Sequence, residues 1–137
     1  MQHNKVFVYG TLLEGEHNHS LMNGAQCLDG VRLDGAKMFD VGYFPCIVDS
    51  GNPHQTVYGE LYEISDETLM VLDDLESEGR MYERREVTVV SCEPDSTEKT
   101  TAWAYFWLRG STHRMSPIDS GQWRLHHTAK KMKGSVR

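Results

Sequence analysis

The segment Val6-Phe7-Val8-Tyr9-Gly10-Thr11-Leu12-Leu13 decides how this chain folds, because a run of β-branched and aromatic residues leads directly into a glycine. Such a run predicts a buried strand. Glycine permits a sharp turn and the close approach of a ligand. The successive N–H groups of Gly10, Thr11 and Leu12 could then point at one oxygen atom. The same pattern also fits a strand that simply ends at this point.

Further segments with strand character follow along the chain, separated by loops rich in turn-forming residues. The last of these segments alternates small and aromatic residues with the period of two expected of a strand that has two different faces. Many short strands and few helices predict a strand-dominated barrel or a highly curved sheet. The predicted strands are Cys27 to Val41 with breaks at Gly30 and Gly35, Thr56 to Ile64, Arg85 to Cys92, and Thr101 to Leu108.

One helix is clearly indicated, because a capping residue precedes two acidic residues and a helical repeat of leucines. Serine at the N-cap can accept a hydrogen bond from a free backbone N–H, and acidic residues suit the positive end of the helix dipole. The residues that carry this signal are Ser65, then Asp66 and Glu67, then Leu69, Leu72 and Leu75.

Glu76 follows the leucine repeat, and a helical period of about 100° per residue places it only about 40° from the centre of the leucine arc. Its carboxylate should therefore face inward, whereas Asp74 points to the opposite side and Asp73 lies at the edge, positioned to hydrogen-bond loop backbone. Burial would raise the pKa of Glu76 toward the range useful for general acid/base chemistry. A carboxylate that accepts hydrogen bonds from backbone amides at a helix end fits the same pattern.

Composition limits the classes of partner. A length of 137 residues, with 39% apolar and 25% charged residues, predicts one globular domain. A net charge of −6 argues against nucleic acid as the partner and favours a small molecule. The absence of an apolar membrane span or a signal-peptide core predicts a cytoplasmic protein without membrane contact. The cysteines are odd in number and widely spaced, which predicts reduced, buried thiols; they are Cys27, Cys46 and Cys92.

No metal and no other cofactor is predicted from the histidines. His17 and His19 lie two residues apart in a polar loop, and His126-His127 are adjacent near the C-terminus. Neither pair has the helical i, i+4 spacing of a typical metal site. A metal-assisted hydrolase that uses His17 and His19 stays open as an alternative.

Five motifs, taken in order over roughly residues 5 to 124, resemble those of the γ-glutamylcyclotransferase-like family. Within it, the loop Asn18-His19 and the interval of six residues from Glu76 to Tyr82 are most similar to the γ-glutamylamine cyclotransferases. The motifs are Val6 to Leu12, Gly42-Tyr43-Phe44-Pro45, Val57-Tyr58-Gly59-Glu60-Leu61-Tyr62, Leu72-Asp73-Asp74-Leu75-Glu76 followed by Tyr82-Glu83-Arg84, and Ser120-Gly121-Gln122-Trp123.

The resemblance implies an α+β fold: a strongly bent mixed sheet that closes into a small barrel with one or two short helices. Residues 1–124 would form this domain, and residues 125–137 a C-terminal tail prone to disorder. The site would lie where the first turn meets the helix that carries Glu76. Nothing in the sequence distinguishes a monomer from a homodimer.

The resemblance also implies an activity: release of 5-oxoproline and a free amine from a γ-glutamyl amine or γ-glutamyl peptide, by attack of the substrate's own α-amine. It assigns general acid/base catalysis to Glu76. A protein that only binds γ-glutamyl compounds or other small carboxylates is the alternative. Many family members have glycine directly after the catalytic glutamate, whereas Ser77 stands here and Glu78-Gly79 follows, so Glu78 is the rival position.

The resemblance places substrate contacts on the turn and on one tyrosine. Gly10, Thr11 and Leu12 match the substrate-cradling turn, and Tyr9 precedes it in the same motif. Tyr82 would either complete the pocket with its ring and hydroxyl or pack as part of the wall. Arg84, two residues further on, would pair with Glu76 or with surface acids.

Overall fold

A computed structural model describes residues 3–135 as an α+β fold in which strands dominate, as predicted. The described part contains eight strands, two α-helices and one short 3₁₀-helix. The strands are β1 (His3–Val8), β2 (Cys27–Asp34), β3 (Ala36–Asp40), β4 (Pro45–Asp49), β5 (Thr56–Ser65), β6 (Tyr82–Ser91), β7 (Lys99–Trp107) and β8 (Ser116–Ile118). The α-helices are α1 (Asp66–Leu75) and α2 (Trp123–Ser135), and the 3₁₀-helix spans His19–Met22.

Five strands form a closed barrel in the order β1-β5-β2-β6-β7. All neighbours are antiparallel except β1 and β7, which close the barrel as a parallel pair at Val6 and Trp103. The predicted mixed sheet that closes into a small barrel is therefore confirmed. The remaining strands form a second antiparallel sheet in the order β4-β3-β8, and β4 packs against β7.

Strand β1 lies at the centre of the packing, and its residues Val6, Phe7 and Val8 are all buried. A strand that is buried on both faces loses the alternation of a surface strand, which explains the continuous apolar run in the sequence. The predicted alternation in β7 is present in part: Ala102, Ala104 and Phe106 are buried and the two tryptophans are partly buried, but Tyr105 between them is buried as well. The core thus holds the start of the site-forming segment rigidly.

Strand β2 does not break at Gly30, contrary to the sequence prediction. Gly30 pairs directly with Glu60 of β5, and the strand continues to Asp34. The predicted break at Gly35 is correct, because this residue has a φ of +83° and joins β2 to β3. The register between β2 and β5 shifts between Cys27 and Asp29, directly before Gly30, and glycine in a strand often lies at such an irregularity.

Helix α1 begins as its sequence predicts. Ser65 precedes it in extended conformation, and its Oγ accepts a hydrogen bond of 3.1 Å from the backbone N–H of Thr68. Leu69 and Leu72 are buried, and Leu75 packs against the core. The leucine stripe fixes the rotation of the helix and therefore the direction of the residue that follows it.

Helix α2 begins at Trp123, so the predicted boundary between residues 124 and 125 falls inside it. Gly121 has a φ of +67°, and its carbonyl accepts a hydrogen bond of 2.8 Å from Tyr58 of β5. This contact delivers Trp123 into the core, where its side chain is 1% exposed. The division of the chain into a domain and a tail stays a prediction, and residues 1–2 and 136–137 lie outside the described part.

The three thiols are free, but only one of them is buried. Cys46 is buried, as predicted, whereas Cys27 and Cys92 are exposed on β2 and after β6, which corrects the prediction for these two. Both lie at positions where a barrel strand begins or has just ended. No helix within residues 3–135 is long and apolar enough to cross a membrane.

We predict that Gly59→Ala destabilises the barrel strongly. A Cβ atom at this position of β5 would lie 2.1 Å from the carbonyl oxygen of Val8 and 2.7 Å from Cε1 of Phe7, so backbone must move. We expect the free energy of unfolding in urea to fall by about 3 kcal/mol or more. Gly30→Ala is the matched control on β2, since its Cβ would meet no atom within 4 Å. Equal losses in the two variants would contradict the packing argument.

Candidate active site

A cavity of about 290 Å³ opens where β1 ends, and it contains every residue predicted for the site. Its walls come from the turn after β1, the loop before β4, the end of α1 and the start of β6. The predicted residues in its lining are Tyr9, Gly10, Thr11, Leu12, Glu76 and Tyr82. The other lining residues are Phe7, Val8, His17, Asn18, Tyr43, Phe44, Pro45, Leu75, Met81 and Tyr105.

The turn after β1 requires glycine at position 10 for a steric reason. A Cβ atom there would lie 2.6 Å from Cγ and 2.8 Å from Cδ of Pro45. Within residues 3–135, the N–H groups of Gly10, Thr11 and Leu12 have no hydrogen-bond acceptor. Buried donors normally have partners, so these three are available to a ligand that enters the cavity.

Asn18 and His19 form side-chain contacts with the turn after β1. The Asn18 side-chain amide donates a hydrogen bond of 3.0 Å to Oγ1 of Thr11. Nδ1 of His19 lies 2.8 Å from the carbonyl oxygen of Leu12, and because that oxygen only accepts, Nδ1 carries the proton. The His19 ring also packs against Tyr62. This histidine therefore supports the turn through Nδ1.

Glu76 faces inward, as the helical period predicts, and its carboxyl group enters the cavity. Burial raises its pKa from the ordinary value of 4.5 to about 7. Among residues 3–135 its side chain has no hydrogen-bond or ion-pair partner, so it does not bond to the backbone amides of the helix end. A carboxyl group with this pKa can take up and release a proton near neutral pH.

The end of α1 shows why serine can follow Glu76. Ser77 has a left-handed φ of +48°, and its N–H donates to the carbonyl of Asp74, while the N–H of Glu78 donates to that of Asp73. This is the Schellman pattern, whose left-handed position normally holds glycine. Ser77 thus adopts the conformation that glycine usually supplies at the end of a helix. Glu78, the rival residue, is exposed, does not line the cavity, and accepts a hydrogen bond from the backbone of Arg84.

Three tyrosines surround Glu76, and each donates its hydroxyl proton to another group. Tyr9 donates to the carbonyl of Tyr105 at 2.7 Å, and Tyr82 donates to the carbonyl of Pro45 at 2.8 Å. Burial, together with the charge of Glu76, raises the pKa of the Tyr9 and Tyr82 hydroxyls. Tyr82 therefore both lines the cavity and packs as wall, with its ring edge against Trp107.

Tyr105 is a site residue that the sequence analysis did not single out. Its hydroxyl donates to Oδ1 of Asp73 at 2.7 Å, and its side chain lines the cavity beside Glu76. Burial is the main reason that its pKa is raised. The alternating pattern of β7 placed it among aromatic residues, but that pattern does not distinguish a tyrosine at a cavity from one that packs in the core.

Arg84 pairs with Asp73 rather than with Glu76. Its Nε lies 2.9 Å from Oδ1 of Asp73, although the N–H does not point along this contact, and its guanidinium lies 4.5 Å from the centre of the Trp103 ring. The Asp73 carboxylate thus contacts Tyr105 and Arg84, which corrects the prediction that it would bond to loop backbone. The pair anchors the end of α1 to β6 and β7.

The other histidines are dispersed. His17 lies exposed at the cavity mouth, and Nε2 of His126 lies 2.9 Å from Oδ2 of Asp40. The part of the chain that the structure describes holds no group of three or more His, Cys, Asp or Glu residues arranged to hold a metal ion. Independence from metal and other cofactors stays a prediction.

The fold and the cavity define a class of protein: a small mixed barrel whose site combines one buried, unpaired carboxyl group with a turn of free backbone N–H groups. Residues 6–125 match the family described as γ-glutamyl cyclotransferase, AIG2-like, and the chain belongs to this family. The predicted family is thereby confirmed.

Individual relatives agree with this assignment. A Vibrio cholerae protein with a provisional γ-glutamylcyclotransferase name is 38% identical over 125 residues, which cover 90% of this chain and 96% of that protein. The γ-L-glutamyl-butirosin B γ-glutamyl cyclotransferase of Niallia circulans is 33% identical and is covered over 80% of its length, with 90% of this chain. The crystal structure of YkqA from Bacillus subtilis superimposes with a TM-score of 0.76 at 29% identity, over 96% of this chain and 43% of that one. These relatives support an enzyme of the γ-glutamylcyclotransferase type.

We predict that Ser77→Gly stabilises the protein by about 1 kcal/mol, because a left-handed φ costs serine more than glycine. Ser77→Ala is the matched control: it removes the hydroxyl group but keeps the Cβ atom that causes the cost. Chemical denaturation of the three proteins measures the difference in the free energy of unfolding. A gain for alanine as large as that for glycine would contradict the conformational explanation.

We predict that burial of Glu76 makes stability fall as pH rises. Between its ordinary pKa of 4.5 and its raised pKa of about 7, the folded protein holds a proton that the unfolded chain has released. Ionisation in the folded state then costs up to about 3 kcal/mol, reached above pH 7. Glu76→Gln removes this cost, so we expect its stability relative to wild type to rise between about pH 5 and pH 8.

The exposed neighbour provides the control for this pH experiment. Glu78→Gln should track the wild type in urea denaturation at each pH, because Glu78 is not buried in the cavity. A constant difference between Glu76→Gln and wild type over the whole range would show that Glu76 titrates in the folded protein as it does in the unfolded chain.

Proposed function

We propose that this protein releases 5-oxoproline and a free amine from a γ-glutamyl amine or γ-glutamyl peptide, with Glu76 as the general acid/base. The observation that carries the proposal is the juxtaposition of an unpaired, buried carboxyl group and the free N–H groups of Gly10, Thr11 and Leu12 in one cavity. The name of the Niallia circulans relative, which acts on a γ-L-glutamyl compound, supports the same substrate class. A cytoplasmic location is proposed with it.

The reaction needs no nucleophile from the protein. The α-amine of the substrate attacks the γ-carbonyl carbon, a new C–N bond closes a five-membered ring, and the C–N bond to the leaving amine breaks. Both reacting groups belong to the same molecule, so the cavity accelerates ring closure by fixing the rotatable bonds of the substrate in the geometry of attack. The cavity, enclosed by Tyr82, Tyr105 and Phe44, supplies such a confined space.

Two proton transfers accompany ring closure, and one carboxyl group can perform both. Glu76 in its ionised form accepts a proton from the α-amine, and the resulting carboxylic acid donates a proton to the leaving nitrogen. With a pKa of about 7, both forms of Glu76 are accessible at neutral pH. Such transfers typically accelerate a reaction about 10²–10⁴-fold.

The turn binds the oxygens of the substrate. No lysine or arginine occurs among the described residues that line the cavity. The N–H groups of Gly10, Thr11 and Leu12 are therefore the donors proposed to hold the α-carboxylate or the oxyanion that develops on the γ-carbonyl. Tyr9 and Tyr82 contribute to binding through their rings, because their hydroxyl protons are already donated to backbone carbonyls.

We predict that Glu76→Gln slows 5-oxoproline release from γ-glutamyl amines, with kcat lower by about 10²–10⁴-fold. In the wild type, kcat/KM should rise with pH through about 7, since the ionised carboxylate is the base. The measurement is 5-oxoproline formation by chromatography over a series of γ-glutamyl amines and peptides, with and without a chelator.

Glu78→Gln is the control variant and should turn over at the wild-type rate. Loss of activity in Glu78→Gln but not in Glu76→Gln would move the catalytic role to Glu78. Thermal stabilisation of the wild type by γ-glutamyl compounds without any product would identify a binding protein instead. Activity that is lost with the chelator and restored by metal would favour the hydrolase that uses His17 and His19.

A further inference from the structure

The loop of residues 13–18 determines where the N–H groups of the turn point. The N–H of Leu13 donates to the carbonyl of Gly10, and the N–H of Asn18 donates to the carbonyl of Thr11, both at 3.0 Å. In a planar trans peptide the carbonyl and the following N–H point in opposite directions. Fixing these two carbonyls on the loop side therefore turns the N–H groups of Thr11 and Leu12 away from the loop.

The loop is itself held by a carboxylate on the barrel. Oε1 of Glu60, on β5, accepts hydrogen bonds of 2.9 Å from the backbone N–H of Glu14 and from the hydroxyl of Tyr62. Its other oxygen accepts a bond of 3.0 Å from Nη2 of Arg124, on α2. The same Nη2 donates to the carbonyl of Glu14. Glu60 and Arg124 thus hold both backbone polar groups of Glu14.

Helix α2 reaches the loop at a second point. Nε1 of Trp123 donates a hydrogen bond of 3.1 Å to Oε1 of Glu16, and the His127 ring stacks on the indole at 5.1 Å. Nδ1 of His127 lies 3.5 Å from the same Glu16 oxygen. The first residues of α2 therefore form hydrogen bonds with Glu14 and Glu16, the two residues that flank Gly15.

We propose that Glu60 and Arg124 are positioning residues: by holding Glu14, they set the loop that aims the Thr11 and Leu12 N–H groups into the cavity. Neither side chain lines the cavity, so they act through the loop and not by contact with a ligand. The identity of the ligand rests on the proposed function. The direction of the Thr11 and Leu12 N–H groups follows from the hydrogen bonds of the loop alone.

Exposure separates this role from a purely structural one. The Arg124 side chain is 46% exposed, although that of Glu60 is only 15% exposed, and an ion pair whose cation lies in water contributes modestly to global stability. Its removal should therefore change the site more than it changes unfolding. Arg32 supplies a matched control, because its side chain is 37% exposed and its Nε pairs with Asp34 at 3.2 Å, on a part of β2 that contributes nothing to the cavity.

The test compares Arg124→Met and Glu60→Gln with Arg32→Met. We expect KM for a γ-glutamyl amine to rise about tenfold in the first two variants, with the pH at which kcat/KM rises unchanged, because Glu76 is untouched. The dissociation constant for 5-oxoproline should rise by a similar factor. Arg124→Lys should restore part of the affinity. The double variant should lose no more than either single one, since both changes release the same loop.

A ligand-free measurement makes the result independent of turnover. In ¹⁵N-resolved NMR spectra, the amide signals of Gly10, Thr11 and Leu12 should shift in Arg124→Met and stay in place in Arg32→Met. Unchanged amide signals, or a KM equal to that of Arg32→Met, would overturn the proposal. If the wild type shows no turnover, the proposed function fails, whereas shifted amide signals with weakened 5-oxoproline binding would still support the positioning role.

Discussion

The contact between Gly10 and Pro45 is the constraint on which the rest of the site depends. The ring of Pro45 fills the space that a side chain at position 10 would need, so the turn after β1 and the start of β4 are in close contact. Proline is tolerated there because it is the first residue of β4, where its lack of an N–H group hardly disturbs the hydrogen bonds between strands. Its carbonyl receives the Tyr82 hydroxyl, which links the same point to β6. Three chain segments are thereby fixed around one cavity.

A second property follows from how the hydroxyl protons are distributed. Tyr9, Tyr82 and Tyr105 all lie near Glu76, yet each donates its single proton elsewhere: two to backbone carbonyls and one to Asp73. A carboxylate surrounded by acceptors that have no proton to give remains poorly stabilised in its charged form. This explains why burial raises the pKa of Glu76. A paired carboxylate would be more stable but would hold its charge and lose its capacity to exchange a proton near pH 7.

Features that depend on interactions between neighbouring residues could be predicted from the sequence. The capping serine and the leucine repeat of α1 fixed its start and its buried face, and therefore the inward direction of Glu76. The apolar run of β1 ending at Gly10 located the turn. The break predicted at Gly30 was wrong, because pairing with β5 is a long-range contact: Gly30 pairs with Glu60, and the ladder continues to Asp34.

Features that depend on distant segments could not be read in this way. Strands β4 and β8 are short and contain proline, so neither has a pattern of its own; the sheet that they share with β3 is what defines them. Tyr105 becomes a site residue only because β6 and β7 pair beside the end of α1. Helix α2 is the clearest case: its apolar signal is carried by Trp123, and the contacts of Arg124 and Trp123 lie more than a hundred residues back, at Glu14 and Glu16. These hydrogen bonds can form only when the barrel has closed and brought α2 next to the loop after β1. No local sequence pattern therefore predicts that α2 supports the first turn.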